Sequence, residues 1–292
     1  MRVVCLAAVG FGVVASEARL TTAAIVPQGT VTTCDAANPF DHEPDEVALQ
    51  ACLDNFEWVL LKPDYLPGYV GYIVNDTVKL KHDHILLTTA ESPHMATILA
   101  GPKLGAPMLR ASTSNNYEIS FIRFDGNREN RDVRDHPCDD ARQFGNVQLT
   151  GSGFHIRYVE SIGAVCGSAM AVGGANTFEI VSSIFADNGR QPEDAHGISG
   201  LWADGLTVFG CRDSTIRDNA LWDNTDVDLG VNGGPRCSVY RNTITHGGKY
   251  AFAGLVAGDP STSGGEFSDN IVSSGYNLLG FGIAVGCHPW GA

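Results

Sequence analysis

The chain has 292 residues, 43% of them apolar and 18% charged, with 34 glycines and a formal net charge of −14. So apolar and sparsely charged a composition excludes a disordered chain. The acidic balance, with no basic footprint, argues against nucleic acid as a partner, and no run beyond the first residues is long and apolar enough to cross a bilayer.

From the N-terminus, Arg2 precedes an apolar run from Val3 to Val14 and the small residues Ala15, Ser16 and Ala18. This is the pattern of a secretory signal peptide, so residues 1–18 are set apart and 19–292 are read as one secreted domain. Secretion makes disulfides the default for Cys34, Cys52, Cys138, Cys166, Cys211, Cys237 and Cys287, an odd set without a Cys-x-x-Cys spacing. Cys34 with Cys52 suits a staple at the N-terminal end. Cys211 with Cys237, about one repeat apart, suits a bridge between neighbouring repeats. Asn75-Asp76-Thr77 is a glycosylation sequon.

After Pro44, residues 45–54 predict an amphipathic helix with Val47, Leu49 and Leu53 on its apolar side. Short strands are expected over 58–63, 69–74, 78–80 and 84–88. A hexad then recurs: Ile180 to Phe185, Ile216 to Leu221, Val239 to Ile244 and Phe267 to Val272, with weaker copies at Ile119–Phe124 and Ile156–Ser161. The four strong copies are apolar at their first and sixth places and carry Ser183, Asn219, Asn242 or Asn270 at the fourth. A second motif follows each, centred on Val172, Val208, Val231, Val256 and Val285, at spacings of 36, 23, 25 and 29 residues. A shortest period near 23 with insertions is the signature of a stacked coil. Five-residue runs with apolar residues at every second place, closed by glycine, cannot bury themselves alone; stacked in parallel they form a continuous inner column. The asparagines then fall one above another and hydrogen-bond along the stack.

These rungs resemble the pectin-lyase-like superfamily. The resemblance implies an all-β, single-stranded right-handed parallel β-helix, a solenoid with a short N-terminal capping α-helix that shields unpaired strand edges. The Phe124-Asp-Gly-Asn-Arg128 strand end is similar to that family too. The fold hosts many activities, so function has to be argued from the site.

Two insertions, 127–148 and 188–200, leave the coil at the same turn and so emerge on one side, where function is commonly carried. They hold Arg128, Arg131 and His196 as candidate substrate-binding residues. In the segment 224–231, Val227, Leu229 and Val231 are expected to face inward, which places Asp226 and Asp228 outward together. Such a pair suits general acid–base chemistry, and equally suits calcium as oxygen ligands. Asp204, His246 and Lys249 lie on neighbouring rungs as further catalytic candidates, and Trp202, Trp222 and Tyr250 as platforms for sugar rings. Asp187, Asp223 and His246 occupy equivalent places in successive rungs. Glycoside hydrolysis needs two carboxylates flanking the bond, one of them protonated, whereas β-elimination on a uronate needs a base for the C5 proton, which the resemblance implies is Lys or Arg, and a group neutralising the carboxylate. The resemblance implies a polysaccharide or oligosaccharide partner. Asn224-Thr-Asp226 is similar to a polygalacturonase motif, but that branch's paired aspartates, Gly-His-Gly and Arg-x-Lys are missing. Hydrolase, lyase and a non-catalytic binding or adhesive surface all stay open.

Overall fold

Among the described residues every pairing between strands is parallel, and the strands form three sheets of nine, eight and eight, in which every third strand is a neighbour once the first two have paired. The structure, a computed structural model, describes residues 31–91, 93–131, 145–191, 201–232, 234–258, 265–275 and 278–286. The expected leader, Cys138, Cys287, His196 and the outer parts of both insertions lie outside these residues. Each turn of the coil contributes one strand to each sheet, and a right-handed parallel β-helix results.

Register makes the stacking concrete. Ile119, Ile156, Ile180, Ile216, Val239 and Phe267 lie in one column of the first sheet. Met170, Leu206, Leu229, Leu255 and Ile283 form one column of the third. The interior is closed by such columns, including Tyr117, Phe154 and Phe178, whose rings stack at 4.9 and 5.0 Å. In the third sheet Val231 pairs with Ala257, and Ala257 with Val285. The expected alignment of Val256 is therefore off by one; Val256 pairs with Gly230 and packs with Val227 and Ala253 apart from the main core.

The hexads are not single strands. Each bends at its third residue, and Phe121, Tyr158, Ser182, Asp218, Arg241 and Asp269 all take the left-handed conformation, with φ between 50° and 57°. The chain thereby turns from the first sheet into the second. In the four strong copies the next residue secures the bend. Asn242 Oδ1 accepts from Asn219 N and Nδ2 at 3.1 and 2.9 Å, and Asn270 Oδ1 accepts from the same groups of Asn242 at 3.0 and 2.9 Å. Ser183 continues the ladder: its N–H donates to Asn219 Oδ1 at 3.0 Å, and its hydroxyl oxygen accepts from Val159 N at 3.2 Å.

The N-terminal end is covered by the helix Glu46–Asn55, which buries Leu49, Cys52 and Leu53. Val47 is 78% exposed, against expectation, because only one narrow side of this short helix meets the coil. Asp45 does not cap the helix with its side chain; it accepts from Asn38 N at 2.7 Å and Ile73 N at 3.2 Å, tying the cap to the first turn. The Cys34–Cys52 and Cys211–Cys237 disulfides form as anticipated, the second joining adjacent turns with a Cα–Cα distance of 5.4 Å. No helix among the described residues is long and apolar enough to cross a membrane.

Candidate active site at the corner between the second and third sheets

Both insertions depart after a strand of the second sheet, Ile122–Asp125 and Ile184–Ala186, and return to the third sheet at Val147–Leu149 and Ala203–Arg212. The candidate residues gather along this corner, but not in the arrangement that strict alternation predicts.

Two residues in succession face inward where the third sheet begins. A Cβ on Gly205 would lie 2.6 Å from Asp228 O and 3.2 Å from the core residue Leu221, while its neighbour Leu206 is in the core. One turn later, Asp228 and Leu229 repeat this double inward step, and both are fully buried. Asp226 and Asp228 therefore do not share a face. Asp228 points inside, accepting from Asn224 Nδ2 at 2.7 Å and lying 2.5 Å from His246 Nε2. The expected joint calcium set is lost with it, and no group of three or more His, Cys, Asp or Glu is arranged for a metal among the described residues.

His246 is buried as well, with Nδ1 2.8 Å from Lys249 O and 3.6 Å from Asp223 Oδ1. Burial opposes charge on its ring, but the Asp228 carboxylate outweighs this and raises its pKa. Burial raises Asp228 in turn. This dyad is a lock inside the coil. Asp223, at the equivalent place one turn earlier, accepts from the backbone N–H groups of Gly247, Gly248 and Lys249 at 3.0, 3.0 and 3.2 Å.

The carboxylate pair that does form is Asp204 with Asp226. Val227, between Asp226 and Asp228, donates its N–H to Asp204 Oδ1 at 3.1 Å, and Asp226 N donates to Ala203 O at 3.1 Å. Both residues are half-buried. Desolvation, then repulsion from Asp226, pushes Asp204 up to about 7, and desolvation also raises Asp226. Thr207 Oγ1 lies 2.5 Å from Asp204 Oδ2 and 2.8 Å from Ser168 Oγ.

The cations are already engaged. Lys249 Nζ contacts Asp187 Oδ1, and Arg128 donates to Asp187 O, Asp187 Oδ2 and Gly189 O at 2.5, 3.2 and 2.6 Å. Burial lowers the Lys249 ammonium, partly offset by Asp187. Arg190 crosses to Arg128 O at 2.8 Å and Glu129 Oε2 at 3.1 Å, so the roots of the two insertions are joined. Arg131 is buried, donates to Leu104 O and is lowered to about 10 by desolvation, which removes it from a solvent-facing binding surface. Trp202 and Tyr250 are exposed by 43% and 41%; Trp222 is half-buried within its strand.

Thr207 and Ser168 escape sequence reasoning because they read as ordinary strand residues. The inner asparagines Asn188 and Asn224 were also missed as a second ladder: Asn188 Nδ2 donates to Asn224 Oδ1 at 2.6 Å. Their signal was present, since both stand one place after an aligned aspartate, Asp187 or Asp223.

Fold and site together define a right-handed parallel β-helix with a carboxylate pair at the corner from which its insertions spring. Comparison with solved structures finds distant similarities. ORF18 of Geobacillus virus E2 is 10% identical over 87% of this chain and 60% of its own, with a TM-score of 0.47. The Dettilon tailspike protein is 14% identical over 88% and 59%, with a TM-score of 0.49. An alginate lyase from a Paenibacillus species is 10% identical over 83% and 97%, with a TM-score of 0.45. The chain spans about three-fifths of the length of the first two. No family model matches the chain, and no curated protein is similar to it in sequence. The likeness is one of fold.

Proposed function

We propose that the chain is a polysaccharide-processing enzyme of the extracellular space that hydrolyses glycosidic bonds at Asp204 and Asp226. The observation that carries this reading is the pair itself: two carboxylates at one outer corner, with Asp204 held near 7. Two neighbouring carboxyls whose proton affinities are both raised by burial, Asp204 further by repulsion from Asp226, can share a single proton, and glycoside hydrolysis uses one protonated and one ionised carboxyl. Asp204 gives its proton to the leaving glycosidic oxygen, and Asp226 acts on the anomeric side as base toward water or as nucleophile. Trp202 and Tyr250 offer exposed aromatic surfaces to sugar rings. The two disulfides fit an oxidising compartment.

Elimination on a uronate is the weaker reading. It needs a base and a cation for the substrate carboxylate, yet Arg128 and Lys249 are committed to Asp187 and to backbone carbonyls. A net charge of −14 also repels polyanions, so a neutral glycan is the favoured substrate. A non-catalytic, sugar-binding surface is the second reading. It is favoured by the hydrogen bonds from Val227 N and the two hydroxyls, which would equally make Asp204 a structural clamp.

The test is incubation of purified protein with neutral and uronic-acid polysaccharides, following reducing ends and the absorbance of unsaturated products. New reducing ends without unsaturation are expected, with Asp204→Asn and Asp226→Asn each lowering kcat by about 10²–10⁴-fold. Unsaturated products would replace the hydrolase with the lyase. Silence across the panel, with sugar binding unchanged in both variants, would leave the binding surface.

A further inference from the structure

We infer that Thr207 and Ser168 are positioning residues that return a proton to Asp204 along a line of hydroxyls on the outer face of the third sheet. This rests on the acid–base reading above and adds how the acid is reset.

The line is short, and Thr207 is its closest member to the carboxyl. Asp204 Oδ1 accepts the Val227 N–H at 3.1 Å, so the carboxyl proton belongs on Oδ2. Oδ2 faces Thr207 Oγ1 at 2.5 Å, and Thr207 Oγ1 faces Ser168 Oγ at 2.8 Å; Ser168 Oγ is also 3.3 Å from Oδ2. Thr207 is buried at 2% exposure, so it holds its position beside Oδ2 against water. Ser168, at the far end, is in contact with solvent. A hydroxyl both donates and accepts, and its hydrogen rotates to suit, so a chain of two can pass a proton by relay.

The backbone makes the line possible. Ser168 pairs with Asp204 across neighbouring strands. Strict alternation would put Asp204 and Thr207 on opposite faces of their strand. The inward step at Gly205 brings them to the same side, and a side chain at Gly205 would strike Asp228 O at 2.6 Å and Asn224 Nδ2 at 2.8 Å. Among the causes acting on Asp204, Asp226 is the charged neighbour, and it raises the proton affinity of the carboxyl.

In the step itself Asp204 loses its proton to the leaving oxygen. The Thr207 hydroxyl proton then passes to Oδ2, the Ser168 proton passes to Thr207 Oγ1, and Ser168 takes one from solvent. Asp226, having taken a proton from the attacking water, releases it to solvent, so one proton enters the site for each that leaves.

Thr207→Val keeps the shape and removes the hydroxyl; Thr207→Ser restores it, and Ser168→Ala breaks the line further out. On the hydrolysed polymer, Thr207→Val should lower kcat about tenfold, the scale of one hydrogen bond to a charged oxygen, with KM within about twofold. Thr207→Ser should recover kcat, and Ser168→Ala should fall between. Independently of turnover, carboxyl-carbon NMR should place the titration midpoint of Asp204 higher in Thr207→Val and back near the parent value in Thr207→Ser. A rise in KM at unchanged kcat, or an Asp204 midpoint indifferent to residue 207, would overturn the inference. If no polymer is cleaved, the NMR midpoints still decide whether Thr207 governs Asp204. If Thr207→Val does not fold, Thr207→Ala removes the same hydroxyl and carries the comparison with Thr207→Ser.

Discussion

Replacing Asn242 by alanine should cost about 3–5 kcal/mol of stability, several times an ordinary surface substitution. Asn242 is fully buried at the middle of the corner ladder. Its Oδ1 holds Asn219 N and Nδ2, and its Nδ2 donates to Ile216 O at 3.1 Å and Asn270 Oδ1 at 2.9 Å. Alanine strands the Asn219 N–H and the Ile216 carbonyl inside the coil, at about 1–3 kcal/mol each, and leaves a small void besides. Asn270, half-exposed in the last turn of the ladder, supplies the control. Water reaches what its removal frees, so Asn270→Ala should cost only about 1 kcal/mol. Urea unfolding followed by circular dichroism measures both, with the m-value checked for constancy so that a shifted midpoint means a stability change. If Asn242→Ala unfolds at the parent midpoint, or no earlier than Asn270→Ala, the ladder does not hold the corner and the reasoning fails.

Other consequences are as direct. His155 first, then Arg217 and Arg157, hold the Glu179 carboxyl at about 2 on the outer face of the first sheet. A carboxyl depressed in this way stabilises the fold above the usual glutamate range, and the benefit disappears as pH falls toward that value. Glu179→Gln should therefore melt below the parent at neutral pH and converge with it in acid; a constant gap across the titration would count against the assignment. His246→Ala leaves the Asp228 carboxylate buried without its partner and should cost about 3–5 kcal/mol, much of it recovered by adding Asp228→Asn. Strictly additive losses in the urea midpoints of that pair would show that the two do not act together.

Much of the fold could be read from the residues because a coil repeats its own constraints. Asn219, Asn242 and Asn270 recur at one place in the repeat, and the cysteines at 211 and 237 lie one turn apart; both patterns led to real contacts. The site was less legible, for a geometric reason. Alternation predicts the face of a side chain only while a strand runs straight, and the double inward step at Gly205–Leu206 and Asp228–Leu229 breaks it where the carboxylates sit. Asp228 was thus expected outside beside Asp226 but lies inside against His246, and Asp204 takes its place in the pair. Val256 shows the same limit: the motif looks aligned, yet the register passes through Ala257. A one-residue slip cannot be seen in a pattern that tolerates insertions.

The bend from the first sheet into the second separates the job of holding the backbone from the job of displaying a side chain. Where Asn219, Asn242 or Asn270 follows the left-handed residue, the amide secures the main chain, and both aspartate and arginine stand in front of it; elsewhere on the ridge phenylalanine, tyrosine and serine take the same conformation. Neighbours on this rack lie about 4.8 Å apart and pair across turns, Phe121 on Tyr158 by ring stacking and Arg241 on Asp218 by a two-pronged ion pair. An outer ridge of the molecule can in this way be rewritten position by position, its chemistry exchanged wholesale, while the interior never registers the edit.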